Sequence, residues 1–296
     1  MSAGRAVVTG AGGQDGSYLV ELLRRRDYDV VGLERGDVDL TDVNAVAALL
    51  RDAAPDEVYN LASPSFVPRS WDQPLETADI GVRGVTALLE AVRAVGSSIR
   101  LVHASSAEVF GVPAETPQRE TTPFCPRSPY GAAKAYGTFL VAAYRERYGL
   151  HAGSAILFNH ESPLRSQDFV PAKIAHAAAA IAAGRQSELV LGDLDAKRDW
   201  GYAPDYVHAM WLMLQQEKPD DFVIATGELH TVRELVEVAF AHVDLNWRDH
   251  VRVDESLRRG QLYELVGDAS KARANLGWQP SVTFEELVGL LVDAAA

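Results

Sequence analysis

A tyrosine and a lysine stand four residues apart in the segment "SPYGAAKAYG", which begins at Ser128. If the segment is helical, Tyr130 and Lys134 lie on the same face, because residues four apart are neighbours on a helix. A phenol with an ordinary pKa of about 10 is a poor base at neutral pH, but a neighbouring ammonium stabilises the phenolate and lowers that pKa. The pair could therefore take a proton from a substrate hydroxyl. The same spacing also occurs on ordinary surface helices, so the rest of the sequence must show whether this pair is catalytic.

Three glycines follow the first predicted strand in "VVTGAGGQDGSYLVELL". Gly10 would permit a tight turn, Gly13 would let the backbone approach a pyrophosphate, and Gly16 would allow close packing of helix on sheet. The free N–H groups and positive dipole of the following helix suit the same anion. Gln14 and Asp15 lie between the last two glycines and are expected to contact the same ligand. This context predicts a dinucleotide site rather than an ordinary structural turn.

A bound dinucleotide would give the tyrosine a role in a redox reaction. An oxidised nicotinamide can accept hydride from the carbon whose hydroxyl proton Tyr130 takes, and its positive ring would lower the tyrosine pKa. The segment "GLERGD" supplies Glu34, which suits ribose hydroxyls, and Arg35, which suits a 2′-phosphate. These two residues leave both NADP and NAD open as the cofactor, and we expect Asp39 and Leu40 beside the adenine. Glu34 could equally be a solvated loop residue.

The elements that must position these groups alternate along the first half of the chain. Short apolar runs such as "RAVVTG", "DVVGL", "DEVYNLA" and "IRLVHASS" are separated by segments with helical spacing. This alternation predicts parallel strands joined by helical crossovers. The predicted fold class is α/β, a doubly wound parallel sheet of Rossmann type with a smaller mixed C-terminal lobe. Ser105 and Ser106 end a strand at its carboxyl side, where such sheets bind ligands.

The domain organisation is predicted to be interleaved. Residues 1–160 form the dinucleotide-binding domain, and residues 200–227 return to it as one more helix and strand. Residues 161–199 and 228–296 form the substrate-binding lobe. Two late helices in this lobe begin with capping boxes, Thr231 with Glu234 and Thr283 with Glu286.

Composition excludes several classes of function. Lys and Arg total 28 against 41 Asp and Glu, giving a formal charge of −13 without a basic run, so we expect no nucleic-acid or anionic-membrane partner. The N-terminal apolar run is short and breaks at glycines, so we expect neither a signal peptide nor a membrane span. The single cysteine, Cys125, cannot form an internal disulfide, which fits a cytoplasmic location. The histidines show no metal-ligand spacing, so no metal site is predicted.

The chain resembles the extended short-chain dehydrogenase/reductase family and, within it, the GDP-mannose 4,6-dehydratases. The resemblance runs nearly end to end and includes "TGAGGQDGSYL", "SSAEVFG", "ETTPFCPRSPYGAAK", "ILFNHESP" and "LGDLDAKRDWG". It implies conversion of GDP-mannose to GDP-4-keto-6-deoxymannose. Carbon C4 of the hexose is oxidised, water is eliminated across C5 and C6, and hydride returns to C6, so there is no net redox change.

The resemblance also implies roles for individual residues. Ser106 would hydrogen-bond the C4 oxygen, and Glu108 would be the additional acid/base that the elimination needs, beside the catalytic Tyr130 and Lys134. Glu108 could otherwise be a solvated residue at a strand end. The further cofactor contacts implied are Leu61, Ala62, Ser63, Ser65, Tyr130, Lys134, His160 and Arg165. The substrate contacts implied are Ser65, Asn159, Lys173, Arg198 and Arg259, although surface charge explains Lys173 and Arg259 equally well.

The chain departs from the family pattern after its second predicted strand, where "LERG" passes directly to "DVDLTD". The resemblance implies a long basic and serine-containing loop there, which helps to bind the NADP phosphate and joins dimers into tetramers. Because this loop is absent from the sequence, we expect a homodimer built through the helices that begin near Trp71 and Pro129. The resemblance implies NADP as the cofactor, with NAD possible, and we expect the absent loop and Glu34 to weaken the preference for NADP over NAD.

Two other functions remain open at this point. A 4-keto reductase or C4 epimerase acting on a nucleotide sugar would share Tyr130 and Lys134 but would not need to remove the C5 proton. A non-catalytic dinucleotide-binding protein is the second alternative. The set of Ser106, Tyr130 and Lys134 argues against it, since a binder has no need of these groups.

Overall fold

Alternating strands and helices make up the first half of the chain, as its apolar runs predict. The computed structural model describes residues 4–96, 98–257 and 263–296. The strands are β1 (Gly4–Thr9), β2 (Tyr28–Leu33), β3 (Glu57–Asn60), β4 (Arg100–Ala104), β5 (Ala152–Leu157), β6 (Asn159–Glu161), β7 (Leu189–Leu191), β8 (Lys197–Arg198), β9 (Trp200–Tyr202), β10 (Phe222–Ile224), β11 (His230–Thr231) and β12 (Val251–Val253). The helices are α1 (Gln14–Arg25), α2 (Val43–Ala53), α3 (Arg69–Asp72), α4 (Pro74–Ala78), α5 (Val85–Val95), α6 (Pro129–Tyr148), α7 (Val170–Ala182), α8 (Ala203–Gln215), α9 (Val232–His242), α10 (Ser270–Leu276) and α11 (Phe284–Ala295).

The central sheet has six strands in the order β10-β5-β4-β3-β1-β2, and every pair in it is parallel. The chain leaves β1 towards β2 on one side and then crosses to β3 on the other. This reversal of direction opens a crevice at the carboxyl ends of β1 and β3. The predicted fold class, a doubly wound parallel sheet, is confirmed.

Three apolar clusters hold the layers together. Helices α1 and α8 cover one face of the sheet, where Leu19 and Met210 are fully buried. Helices α2, α5 and α6 cover the other face through residues such as Leu50 and Leu89. A separate cluster joins α7, α9 and α11. Strand β10 completes the edge of the main sheet. The division into two interleaved lobes agrees with this arrangement but stays a prediction.

Helix α6 carries the tyrosine and the lysine, and the sequence around it fixes where it begins. Ser128 is the N-cap and its hydroxyl accepts a hydrogen bond from the Gly131 N–H at 3.0 Å, while Pro129 occupies the first turn. Both capping boxes predicted for the later helices, at Thr231 and Thr283, are confirmed.

One buried carboxylate joins three separate segments close to the carboxyl ends of the strands. Asp199 is 1% exposed and accepts hydrogen bonds from the Thr226 N–H and hydroxyl and from the Gly227 and Gly267 N–H groups, at 2.6 to 3.1 Å. These four bonds satisfy the carboxylate in the interior. They also fix the position of Arg198, the preceding residue.

Candidate active site

A cleft of about 1020 Å³ runs along the carboxyl ends of the strands. At one end it is lined by Glu34 and Arg35, which follow β2, and at the other by Glu108 and Tyr130. The glycine turn after β1 lies between these two ends. The lining includes most of the site residues predicted from the sequence, namely Gly10, Gly13, Gln14, Asp15, Gly16, Arg35, Asp39, Leu40, Leu61, Ala62, Ser63, Ser65, Ser106, Glu108, Tyr130, Lys134, Asn159, His160 and Arg165.

The glycine turn has the geometry that a pyrophosphate requires. Gly10 has φ +73°, and a Cβ on Gly16 would lie 2.2 Å from the Gly10 carbonyl oxygen, so both positions need glycine. A Cβ on Gly13 would meet only the Gly10 oxygen, at 3.4 Å, and would project into the cleft. Gly13 is also the N-cap of α1 and supplies no side-chain cap, which leaves the first N–H groups of the helix for an anion. The turn therefore fits a dinucleotide.

Tyr130 and Lys134 lie on one face of α6, as their spacing predicts. The Lys134 Nζ is 5.7 Å from the centroid of the Tyr130 ring and donates a hydrogen bond to the Ala104 carbonyl at 2.7 Å. Burial lowers the pKa of Lys134 to about 8, against an opposing effect of the Asp15 carboxylate. The ammonium is thus held at the end of β4 by the backbone.

The pKa of Tyr130 shifts opposite to the direction expected from its lysine neighbour. Burial, partly offset by a hydrogen bond with Ser106 and reinforced by the negative charge of Glu108, raises this pKa to about 12. The sequence pattern places the ammonium near the phenol but does not show how deeply α6 buries both. The protein's own groups therefore keep Tyr130 protonated at neutral pH.

Glu108 lies one residue into a short 3₁₀ turn, Ala107–Val109, that follows β4. Ser106 is its N-cap, with the hydroxyl accepting from the Glu108 N–H at 3.2 Å. Burial raises the pKa of Glu108, while the Arg198 guanidinium acts in the opposite direction. Burial likewise lowers the pKa of Arg198, which Glu108 partly restores. The carboxylate thus lines the cleft together with Tyr130, and the Arg198 guanidinium acts on it.

His160 links the strand β6 to the first turn of α1. Its Nε2 is 2.9 Å from the Asp15 carboxylate and its Nδ1 is 2.7 Å from the Phe158 carbonyl. Burial lowers the pKa of His160, but the Asp15 charge and hydrogen bonds outweigh this effect and the net shift is upward. Close by, Arg165 forms an ion pair with the buried Glu161 at 3.0 Å.

The remaining predicted site residues are dispersed. Asp39 accepts from the Thr41 N–H and hydroxyl at the edge of the cleft, at 2.9 and 2.7 Å. Lys173 is exposed on α7, donates to the Val190 carbonyl at 2.9 Å, and is not among the described residues that line the cleft. Arg198 also stands outside that lining but interacts electrostatically with Glu108. Arg259 lies outside the described residues.

Sequence reasoning missed several charged residues of this region, among them Arg69, Glu76 and Asp199. Arg69 and Glu76 line the cleft from α3 and α4. The motif "DAKRDWG", which pointed to Arg198, contains Asp199 and could have drawn attention to it. In the described ranges, no group of three or more His, Cys, Asp or Glu could hold a metal ion. Within the same ranges, no helix combines the length and the apolar character needed to cross a membrane.

A parallel sheet with this glycine turn and with serine, tyrosine and lysine at the carboxyl ends defines an extended short-chain dehydrogenase/reductase. Comparison with solved structures agrees. The NADPH complex of RMD from Pseudomonas aeruginosa matches with a TM-score of 0.90 at 26% identity, over 99% of each chain. The NAD complex of UDP-glucose 4-epimerase from Thermus thermophilus matches with a TM-score of 0.85 at 29% identity, over 98% of each chain.

The sequence comparisons are more specific. The family model for GDP-mannose 4,6 dehydratase matches residues 36–291. GDP-mannose 4,6 dehydratase 1 of Arabidopsis thaliana is 47% identical over 320 residues, which covers 97% of this chain and 88% of the relative. The chain belongs to the GDP-mannose 4,6-dehydratase family, and the resemblance read from its motifs is confirmed.

Proposed function

We propose that this protein is a nucleotide-sugar 4,6-dehydratase that converts GDP-mannose to GDP-4-keto-6-deoxymannose. Membership of the family supports the reaction, and the site contains the groups that the reaction needs. The observation that carries the proposal is the position of Glu108. Its carboxylate lines the same cleft as Ser106, Tyr130 and Lys134, a short 3₁₀ turn beyond β4. An elimination requires such a base, and a simple oxidation or reduction at C4 does not.

The proposed mechanism divides the proton transfers between two residues. Tyr130 takes the proton of the C4 hydroxyl, with Ser106 hydrogen-bonded to the C4 oxygen. The ketone at C4 makes the C5 proton acidic, and Glu108 removes that proton. The protonated Glu108 then delivers it to the departing C6 hydroxyl, so that one water leaves. When bound, a nicotinamide would supply the hydride acceptor at C4 and the hydride donor at C6. As hydride returns to C6, Glu108 adds to C5 a proton taken from solvent, and Tyr130 releases its proton to solvent, so both residues are restored.

The electrostatics of the site suit this division of roles. Burial raises the pKa of Glu108, which makes its carboxylate a stronger base towards a carbon acid and its carboxyl a competent donor afterwards. Burial also raises the pKa of Tyr130 to about 12, so the phenol needs added positive charge to ionise. The ring of an oxidised nicotinamide would supply that charge beside Lys134.

We propose the remaining contacts on the basis of position. The cofactor is NADP, with NAD as the alternative, and its pyrophosphate lies on the glycine turn at Gly13. Asn159 and Ser65 line the cleft and would contact the nucleotide sugar. Arg198 would bind its diphosphate, because a guanidinium suits bidentate phosphate contacts. The single cysteine supports a proposed cytoplasmic location.

The replacement Glu108→Gln tests the proposed function. We expect the rate of formation of the 4-keto-6-deoxy product, followed by mass as loss of water from GDP-mannose, to fall by about 10²- to 10⁴-fold. Uptake of solvent deuterium at C5 should fall by a similar factor, while binding of the cofactor stays the same. The replacement keeps the size of the side chain and removes only its basicity.

The matched control is Glu146→Gln, an exposed glutamate on α6, which should keep normal turnover. A Glu108→Gln enzyme that still eliminates water at the normal rate would contradict the role of Glu108. A wild-type protein that binds the cofactor but only reduces a 4-keto sugar, or inverts C4, would identify it as a reductase or an epimerase.

A further inference from the structure

Two arginines and one glutamate, from the turn after β2 and from helices α3 and α4, meet at the end of the cleft that lies beyond β2. The Glu76 Oε1 is 2.7 Å from an Nη of Arg35, and the Glu76 Oε2 is 3.6 Å from an Nη of Arg69. All three residues line the cleft. Each oxygen of the carboxylate therefore faces a different guanidinium. We refer to Arg35, Glu76 and Arg69 as the adenosine-end cluster.

The elements of the fold hold this cluster in place. Arg35 follows β2, the strand whose carboxyl end receives the adenosine ribose in folds of this kind. Arg69 begins α3, and its Nε donates to the Gln73 side-chain oxygen at 2.8 Å, which fixes its direction. Glu76 lies in the middle of α4. Its side chain is 28% exposed, compared with 84% for Arg35, so the carboxylate is the anchored member of that pair.

The charges of the cluster bear directly on recognition of a 2′-phosphate. Two guanidiniums would attract a phosphate dianion strongly, because arginine binds phosphate through paired hydrogen bonds. Glu76 neutralises one of these charges and holds both arginines. A 2′-phosphate must therefore compete with the carboxylate for the guanidiniums and must also approach its negative charge. A 2′-hydroxyl does not meet this obstacle, since a carboxylate accepts a hydrogen bond from it.

We propose that Glu76 is a specificity-determining residue that lowers the preference of this protein for NADP over NAD. It does so by pairing with Arg35 and Arg69, the two groups that would bind the 2′-phosphate. This inference rests on the dinucleotide site of the proposed function and extends it to residues of α3 and α4. The proposal explains why the two arginines at the adenosine end of the cleft are paired with a carboxylate of the protein itself.

Binding of the two cofactors to the complete protein tests the proposal. We expect Glu76→Gln to shift the ratio of the dissociation constants of NAD and NADP about fivefold towards NADP, because both guanidiniums then face the phosphate. Arg69→Gln should weaken NADP about fivefold and leave NAD within about twofold. In the double variant Glu76→Gln/Arg69→Gln the gain should be smaller than in Glu76→Gln alone, because only Arg35 then faces the phosphate. Titration calorimetry without sugar substrate measures these constants at low and high salt, and the effects should shrink at high salt.

Asp79→Asn is the matched control. Asp79 also lines the cleft, but its carboxylate pairs with Arg83 at 2.9 Å rather than with the cluster. We expect this variant to change the ratio by less than about twofold, which separates the cluster from a general effect of negative charge. A ratio in Glu76→Gln equal to that of the wild type would overturn the inference and leave the proposed function intact. Failure of both cofactors to bind the wild-type protein would overturn both.

Discussion

Burial of the charged Lys134 side chain lowers the stability of the fold, and we propose that the same charge is needed for catalysis. Its side chain is buried, its Nζ donates to the Ala104 carbonyl, and burial lowers its pKa from 10.5 to about 8. Such a shift means that the folded protein holds the ammonium at a cost of about 3 kcal/mol. We propose that the benefit is a positive charge near the Tyr130 ring and the reacting sugar.

Replacing this lysine should stabilise the fold. Lys134→Met removes the buried charge, although it leaves the Ala104 carbonyl without a donor, which costs about 1–2 kcal/mol. We therefore expect the free energy of unfolding at pH 7 to rise by about 1–2 kcal/mol while dehydratase activity is lost. Chemical denaturation followed by circular dichroism measures the change.

The pH dependence of the stability gained by Lys134→Met shows whether the gain comes from removing the buried charge or from better packing. Below pH 8 both states of the wild type hold the proton, so the folded state bears the full cost. Between about pH 8 and 10.5 the folded protein releases the proton and the unfolded chain keeps it, so wild-type stability rises. The advantage of Lys134→Met should shrink over this range. Lys218→Met, at an exposed lysine, should show no such trend, and a gain that is constant with pH would refute the explanation.

At the scale of elements, the junction of β1 and α1 separates a glycine needed for folding from one needed for binding. Gly13 has an extended backbone, φ −78° and ψ 174°, and a Cβ there would find space in the cleft. A Cβ on Gly16 would lie 2.2 Å from the Gly10 oxygen and 2.6 Å from the Ala11 Cα. Both of these neighbours are backbone atoms and cannot rotate away.

These contacts predict opposite results for two alanine replacements. Gly13→Ala should change the free energy of unfolding by less than about 1 kcal/mol and weaken dinucleotide binding at least about tenfold, because the methyl group occupies the path of the pyrophosphate. Gly16→Ala should cost about 3 kcal/mol of stability through overpacking. Thermal unfolding and cofactor titration of the same samples measure both quantities. Normal cofactor binding by Gly13→Ala would show that the pyrophosphate does not approach this turn.

The elements themselves were largely predictable, since apolar runs separated by helical spacing specify strands and crossovers in order. The glycine turn, Ser106, Glu108 and the Tyr130–Lys134 pair could also be placed, because each stands at a strand end or on one helix face. The adenosine-end cluster could not be predicted from the sequence. Arg35 and Glu76 are 41 positions apart, and only the course of the chain after β3 brings their side chains together. The direction in which the pKa of Tyr130 shifts was also predicted wrongly, because this shift depends on burial by several elements.

At the scale of the whole molecule, the described surface carries an apolar region that the fold of one chain leaves uncovered. Trp71 on α3, Leu75 on α4 and Phe139 on α6 have exposed fractions of 63%, 80% and 62%. Helix α6 packs against both α3 and α4, so these side chains lie on neighbouring elements. Exposed apolar groups gathered in this way mark an interaction surface. We propose that a second copy of the chain covers it, as the sequence led us to expect for a homodimer.

A dimer with twofold symmetry uses the same patch on both copies, so one replacement changes the interface twice. We expect the wild-type protein to sediment as two chains at micromolar concentration. Leu75→Lys combined with Phe139→Lys should weaken association at least about 100-fold, because four ammonium groups would enter an apolar contact. Leu290→Lys, at a leucine of α11 that is 39% exposed, should leave the dimer intact. Sedimentation velocity over a range of concentrations measures all three. A wild-type mass of one chain or of four, or an unchanged dimer in the double variant, would contradict this assembly.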